Sequence, residues 1–435
     1  MSRSRKTSRS IFWSWSPASG REATQAVGFN ILLHWFPAKI TDRSRSWGYS
    51  AWLGTISLLL FAILAITGVI LMFVYVPSVE RAYHTIKDVE FVVSYGWFIR
   101  RMHRWAAHLM VACVFLHMIR VFLTGAYKKS RKNIHGNRPL NWLIGLALLL
   151  LTMLLSYTGY LLPWDQLALW AITIGANIAR SVPVIGEQIR FLMQGGTIID
   201  QNTLIIWYTL HIAVLPLITT GLIAWHMWRI RKDGGLAAIE NIPVEEVKGD
   251  AIPGKTYTLM GITQGVRPTV LYHRIKDKTG LFVPTTLHRI GIVLLFTTAV
   301  VMFLSLFFSV PLEEAASLEW TPNPAKAPWY FLWLQELVTI TTVRVRGITL
   351  NGGFVGGVVI PGLLVLLAAV WPYLDRSPDS TVGVWLPRKR VIQNTVFLLI
   401  IIAIGVLIFI GSVLRGPNWG IYMPWEAWPH HPTMI

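Results

Sequence analysis

Long uncharged apolar runs, separated by short basic segments, dominate the chain. Six of them contain no Asp, Glu, Lys or Arg: Trp47–Val79, Pro139–Pro163, Gln201–Trp228, Ile290–Pro311, Gly347–Leu374 and Val391–Leu414. A seventh, Trp97–Tyr127, carries Arg only near its ends. A helix needs about 20 residues to cross the hydrocarbon core of a bilayer. The pattern therefore predicts seven transmembrane helices, lettered A to G, and an all-α integral membrane protein. Ahead of them, Phe29–Arg45 has the make-up of an interfacial amphipathic helix, with Phe29, Ile31, Leu32, Leu33, Trp35 and Phe36 set against Lys39, Arg43 and Arg45.

Composition agrees. The 435 residues are 54% hydrophobic and only 14% charged, against about 25% charge in a soluble domain. A 12% aromatic content excludes disorder. One cysteine, Cys113, excludes a disulfide framework, a Cys-rich zinc site and a Cys-ligated iron–sulfur cluster. The first 27 residues are rich in Ser and Arg without an apolar run, which speaks against a signal peptide.

The net charge of +18 would suggest nucleic acid in a soluble protein. Here the placement of the charges matters more. The segment to Arg45 and the B–C, D–E and F–G connections together hold 28 of the 39 Lys and Arg. Cytoplasmic loops carry that excess, so the N-terminus is expected inside and the C-terminal tail outside. Nucleic-acid binding is not expected. The organisation is a basic N-terminus (1–49), four spans (50–232), a cytoplasmic connection (233–287) and three further spans with an external tail (288–435).

Five of the twelve histidines lie within spans: His103, His108, His117, His211 and His226. Ligating or ionisable residues are costly in a membrane and usually functional. His103 and His117 stand 14 residues apart on span B, His211 and His226 15 apart on span D. These steps correspond to rises of roughly 21 and 22 Å with net rotations of about −40° and +60°. Each pair therefore stays near one face. Spans B and D run in the same direction, which places His103 level with His211 and His117 level with His226. Haem iron takes two axial imidazoles, and a bundle core is where such cofactors sit. Four isolated histidines bonded to neighbouring helices is the plainer alternative, and two level pairs speak against it. His108 has no partner at matching depth and is read as structural.

Glycines repeat the spacing. Gly54 and Gly68 on span A, and Gly145 and Gly159 on span C, are each 14 apart. A flat macrocycle needs neighbours without side chains, although glycine also serves plain helix packing. Arg100 and Arg120 each lie three residues from a candidate ligand, towards a membrane surface, and could pair with haem propionates.

The motifs GWFIRRMHRW (96–105), LHMIRVFLTGAYKK (116–129), TGYLLPWDQ (158–166), SVPVIG (181–186) and HIAVLPL (211–217) resemble the dihaem half of cytochrome b of bc-type and b6f-type complexes. Spans E–G resemble that family's subunit IV in fused form, so the resemblance covers about nine-tenths of the chain. It implies a four-helix dihaem bundle plus a three-helix part, with two non-covalent b-type haems and a quinone or quinol substrate. Implied partners are a Rieske-type iron–sulfur protein and a c-type cytochrome subunit, in a dimer of the complex within a bacterial inner or equivalent energy-transducing membrane. The implied reaction is quinol oxidation outside, electron transfer through the haems to an inner quinone, and proton translocation.

Three departures stand out. Trp52 occupies the position where b6f-type proteins carry a haem-attaching Cys, so no covalent haem is expected. The family's Pro-Glu-Trp-Tyr motif is Ala327-Pro328-Trp329-Tyr330 and lacks its Glu. A family Arg before the first span-D His is Ile206. The resemblance implies an outer quinol site among Tyr157, Trp170, Pro183, Trp329 and Tyr330. It implies an inner site among His34, Asp42, Lys128 and Arg231. Glu313, Glu314, Glu319 and Glu336 are candidate substitutes for the missing Glu, with Glu336 first. The competing functions are a dihaem membrane anchor of a dehydrogenase or hydrogenase, which needs no spans E–G, and a transporter with Gly-interrupted helices, which needs no level histidine pairs.

Overall fold

The structure, a computed structural model, describes residues 39–41, 46–128, 137–232, 279–281, 286–345 and 348–426. Among them, seven helices are long and apolar enough to cross a membrane. Numbered with the shorter helices between them, the order is α1 (Leu53–Met72), α2 (Ala82–Phe91), α3 (Gly96–Leu123), α4 (Arg138–Leu161), α5 (Gln166–Arg180) and α6 (Gly186–Gln194). There follow α7 (Gln201–Ile230), α8 (Leu287–Phe307), α9 (Trp329–Thr341), α10 (Gly352–Leu374) and α11 (Arg388–Leu414). The spans are α1, α3, α4, α7, α8, α10 and α11, in agreement with the seven apolar runs.

Local chemistry sets the helix starts. Asn137 accepts from Leu140 N at the head of α4, and Asp165 from Ala168 N at the head of α5. Asp200 and Thr203 form a capping box on α7. The run Trp47–Val79 yields a shorter helix than its length suggests. Its first part is a separate turn, Trp47–Ser50, and the chain leaves the helix after Met72, ahead of Pro77.

α1 packs on α3 and α4 on α7, which together make the N-terminal four-helix bundle. α8 lies against α1 and α3, α10 against α4, and α9 against α11. One end of the bundle carries α2, α5, α6 and α9. The opposite end carries the Trp47–Ser50 turn and the α10–α11 connection.

Four strands of three residues are present among the described residues. β1 (Lys39–Thr41) pairs antiparallel with β2 (Thr279–Leu281), and β3 (Val343–Val345) with β4 (Ile348–Leu350). This corrects the expected amphipathic helix over Phe29–Arg45. Its described part is strand, just beyond Pro37, which cannot donate within a helix. The rest of that segment lies outside the described residues.

Candidate functional site

The structure brings His103 on α3 and His211 on α7 together. Their ring centroids are 6.3 Å apart with planes at 76°. That separation leaves room for one metal atom between two ring nitrogens, each at about 2 Å. Each ring also lies on a glycine. A Cβ built on Gly68 would stand 3.3 Å from His103 Cε1, and one on Gly159 only 2.5 Å from His211 Cε1. Both rings are held from behind. Thr67 Oγ1 meets His103 Nδ1 at 2.9 Å, and Thr158 Oγ1 meets His211 Nδ1 at 3.0 Å.

The second pair repeats the glycines. A Cβ on Gly54 would lie 3.2 Å from His117 Cε1, and one on Gly145 3.5 Å from His226 Cε1. All four glycines singled out by spacing therefore face the four histidines, one each. Nδ1 of His226 is buried, with the Asn141 backbone beside it and no side-chain partner.

The two arginines differ. Arg120 is buried beside the second pair, its guanidinium 4.9 Å from the Tyr49 ring. Its Nε and Nη2 have no hydrogen-bond partner. Two orphaned donors on a buried cation suit a carboxylate, such as a haem propionate. Arg100 corrects the expectation made for it. Glu90 takes Nη1 at 2.7 Å, and the carbonyls of Val310 and Pro311 take Nη1 and Nη2. Its charge is neutralised within the protein, and Arg101 shares Glu90.

The unequal steps of 14 and 15 residues have a structural cause. Leu210–Val214 forms a π-helical turn inside α7, beginning one residue before His211. Pro216 follows it, with no N–H to donate and a ring that crowds the carbonyl four residues back, which favours a widened turn. The turn absorbs the extra residue, so both steps keep their histidines facing the same interior.

A cavity of about 120 Å³ opens beside the first pair's end of the bundle. Tyr157 and Tyr160 of α4, Trp170 of α5, Lys326 and Pro328 of the α8–α9 connection and Phe331 of α9 line it. Tyr157 and Trp170, two residues the resemblance implies for an outer quinol site, are among them. Tyr157 donates to the Ala171 carbonyl at 3.0 Å, its hydroxyl pressed against Gly175, and Trp170 donates to the Trp320 carbonyl. Among the lining residues Lys326 is the one with an ionised side chain, and sequence reasoning missed it. Its ammonium donates to the Ser412 carbonyl at 2.8 Å, and burial holds its pKa below the ordinary lysine value.

Other candidates are placed differently. Trp329 and Tyr330 adjoin the cavity without lining it. Trp329 Nε1 donates to His108 Nδ1 at 3.1 Å, and Tyr330 is buried against that imidazole. His108 is thus an anchor for the Trp-Tyr motif. Pro183 is exposed in the turn between α5 and α6, away from the cavity. Glu336 is also corrected. It is buried and faces Arg415, whose Nε and Nη2 donate to its two oxygens at 2.9 and 2.5 Å. It does not reach the cavity, and both its oxygens are taken by Arg415. Glu313, Glu314 and Glu319 are exposed and do not line the cavity either. Asp165 is a buried carboxylate nearby, and burial raises its pKa. It is occupied in accepting from Ala168 N and Glu313 N.

At the opposite end Lys128 is enclosed rather than offered to a ligand. Its ammonium reaches Asp375 at 3.5 Å and both oxygens of Ser377. Asp375 also accepts from Tyr127 at 2.6 Å and pairs with the buried Arg390. Burial alone would raise the Asp375 carboxyl, but the bonds from Ser377 and Tyr127 and the Lys128 charge bring it below its ordinary value. His34, Asp42 and the Arg231 side chain lie outside the described residues. Trp52 is buried in the left-handed region (φ 54°) at the start of α1.

Comparison with known proteins agrees with this geometry. The family described as Cytochrome b/b6/petB matches residues 42–234. Cytochrome b6 of Heliobacterium modesticaldum (strain ATCC 51547 / Ice1) is 44% identical over 182 residues, 42% of this chain and 82% of that protein. Cytochrome b6 of Acaryochloris marina (strain MBIC 11017) is 40% identical over 182 residues, with 42% and 81% covered. A solved chain titled "Hyperthermophilic respiratory Complex III" aligns over 89% of this chain and 90% of its own, with a TM-score of 0.65 and 23% identity. That likeness shows the fold and extends it to the C-terminal helices. With its paired imidazoles, glycine cradles and seven apolar helices, the chain belongs to the cytochrome b/b6 family, as a multi-pass membrane protein of the b-haem type.

Proposed function

We propose that the chain is the dihaem cytochrome b subunit of a bc-type complex, which oxidises quinol near one membrane surface and reduces quinone near the other. One observation carries this reading: four histidines on two helices, each ring against its own glycine, with the first two rings set around a space for one metal atom. His103 and His211 would hold one b-type haem, and His117 and His226 the other. Held by these imidazoles, each haem would supply a one-electron iron couple. The pairs are roughly 21 Å apart along α3, so the chain holds two electron stations across most of the bilayer.

The cavity beside the first pair would take the quinol ring between Tyr157, Trp170 and Phe331. The Lys326 ammonium lies where it favours the deprotonated form of a bound quinol, in a cavity without a carboxylate. One electron would leave to a Rieske-type partner, as no cluster ligands exist in a chain with one cysteine. The Lys/Arg distribution supports an outer position for the first pair and this cavity and an inner one for the second pair. The dihaem-anchor alternative requires neither α8–α11 nor a cavity walled by the α8–α9 connection.

A reduced-minus-oxidised spectrum of the purified complex tests the haem reading. Two b-type haems per chain, titrating in two one-electron steps, are expected, and absence of b-type absorption would end it. Co-purification of a Rieske protein and quinol-dependent reduction of a c-type cytochrome separate the complex from the anchor.

A further inference from the structure

Two Thr-Gly dipeptides, Thr67-Gly68 on α1 and Thr158-Gly159 on α4, flank the first histidine pair. The glycine of each admits the imidazole, and the threonine of each touches its Nδ1. The direction of these bonds follows from hydrogen counting. A hydroxyl carries one hydrogen. Thr67 Oγ1 donates its own to the Ile63 carbonyl at 2.7 Å, and Thr158 Oγ1 donates to the Leu155 carbonyl at 3.1 Å. With each hydroxyl hydrogen on its carbonyl, the ring nitrogens are the donors. In that arrangement Nδ1 carries the proton on both rings, and both Nε2 atoms present a lone pair. The hydroxyl, already polarised by its carbonyl, draws on the Nδ1 proton and enriches the opposite nitrogen.

The second pair has no such arrangement. Among the described residues no side-chain hydroxyl bonds His117 or His226, and the His226 ring has only the Asn141 backbone beside it. The residues preceding Gly54 and Gly145 are Leu53 and Ile144, which offer no oxygen.

We propose that Thr67 and Thr158 are positioning residues that fix the tautomer of the first ligand pair and lower the reduction potential of the iron held there relative to the second. More basic ligands favour the ferric state, so the two hydroxyls help direct electrons from the first site to the second. The proposal rests on the dihaem reading. It concerns two threonines outside the ligand set.

The test is a redox titration of the intact complex, followed in the b-haem bands, for the native chain and for Thr67→Val, Thr158→Val, Thr67→Ser and Thr158→Ser. In the valine variants the lower-potential step is expected to rise by about tenfold in the ferric–ferrous equilibrium, which is 59 mV for one electron. The higher step stays in place, and both serine variants keep the native values. If a valine variant loses one haem while its serine variant keeps two at native potentials, the hydroxyl is again assigned. Unmoved potentials in valine variants that retain both haems overturn the proposal. So does an equal shift of both steps, or a serine variant that behaves like valine. Failure of the dihaem reading is separately visible, since the native complex would then lack two b-haem steps altogether.

Discussion

The two histidine pairs share the same helices, the same glycine cradles and nearly the same spacing, yet the protein completes them differently. At the first pair the chain supplies its own polar partners. Threonine hydroxyls hold both imidazoles, and Arg100 is neutralised by Glu90. At the second pair Arg120 is buried with two donors unused, and no side-chain hydroxyl holds His226. A buried unpaired charge costs several kcal/mol. The second site is therefore organised to be finished by what it binds, and the first is largely finished before binding.

The sharpest way to break this comparison is through the glycines. Gly159→Val drives a side chain into His211, where even a Cβ would stand 2.5 Å away, and the ring cannot retreat from Thr158. One b haem per chain, rather than two, is expected in a pyridine haemochrome assay. Gly145→Ala adds a Cβ at 3.5 Å, an ordinary contact, and should retain both. Two haems with native spectra in Gly159→Val would refute the assignment of that glycine.

The arginines give the next largest effect. Arg120→Met should loosen the haem of the second pair, by roughly tenfold or more in retention. It should also raise the melting temperature of the haem-free chain, because it removes an unpaired buried cation. Arg100→Met should do the reverse. Both haem steps remain, and the chain loses about 1–3 kcal/mol as Glu90 keeps only Arg101. Thermal melts of haem-loaded and haem-free protein check both.

A smaller effect is expected at the cavity. Lys326→Met should slow quinol oxidation several-fold and leave both haem potentials unchanged. The native chain should lose this contribution on the alkaline side. A lysine is charged below its pKa, and burial has lowered that value from about 10.4, so the loss begins earlier than for a free lysine. A pH profile identical in native and variant enzyme would remove Lys326 from the site.

Much of the scaffold was legible in the sequence because it depends on periodicity. Seven spans follow from run length, and the four glycines stood out by their 14-residue steps, close to the histidine steps of 14 and 15. Features set by contact across the fold were hidden. Glu336 looked available two turns beyond Trp329, and only the fold reveals Arg415 facing it across 79 positions of sequence. Arg100 looked like a propionate partner until α2 brought Glu90 beside it. His108 lacked a level partner on span D because its partner is an indole on α9. The threonines next to Gly68 and Gly159 were visible as letters, but their role required knowing which way each imidazole turned. Lys326 sits in a connection without periodicity, and nothing local marked it.

The wide turn at Leu210–Val214 has a consequence for how such a chain tolerates insertions and deletions. An extra residue in a regular helix re-aims everything beyond it by about 100°. Here the surplus is confined to one turn, and His226 stays in line with His211. Removing Ala213 should let that turn tighten to a regular α-helix and leave the second ligand aimed as before. Removing Thr220 instead should swing His226 away from Gly145 and empty its site. α7 thus carries a one-residue slack just past its first ligand, where length can change without the helix losing its aim.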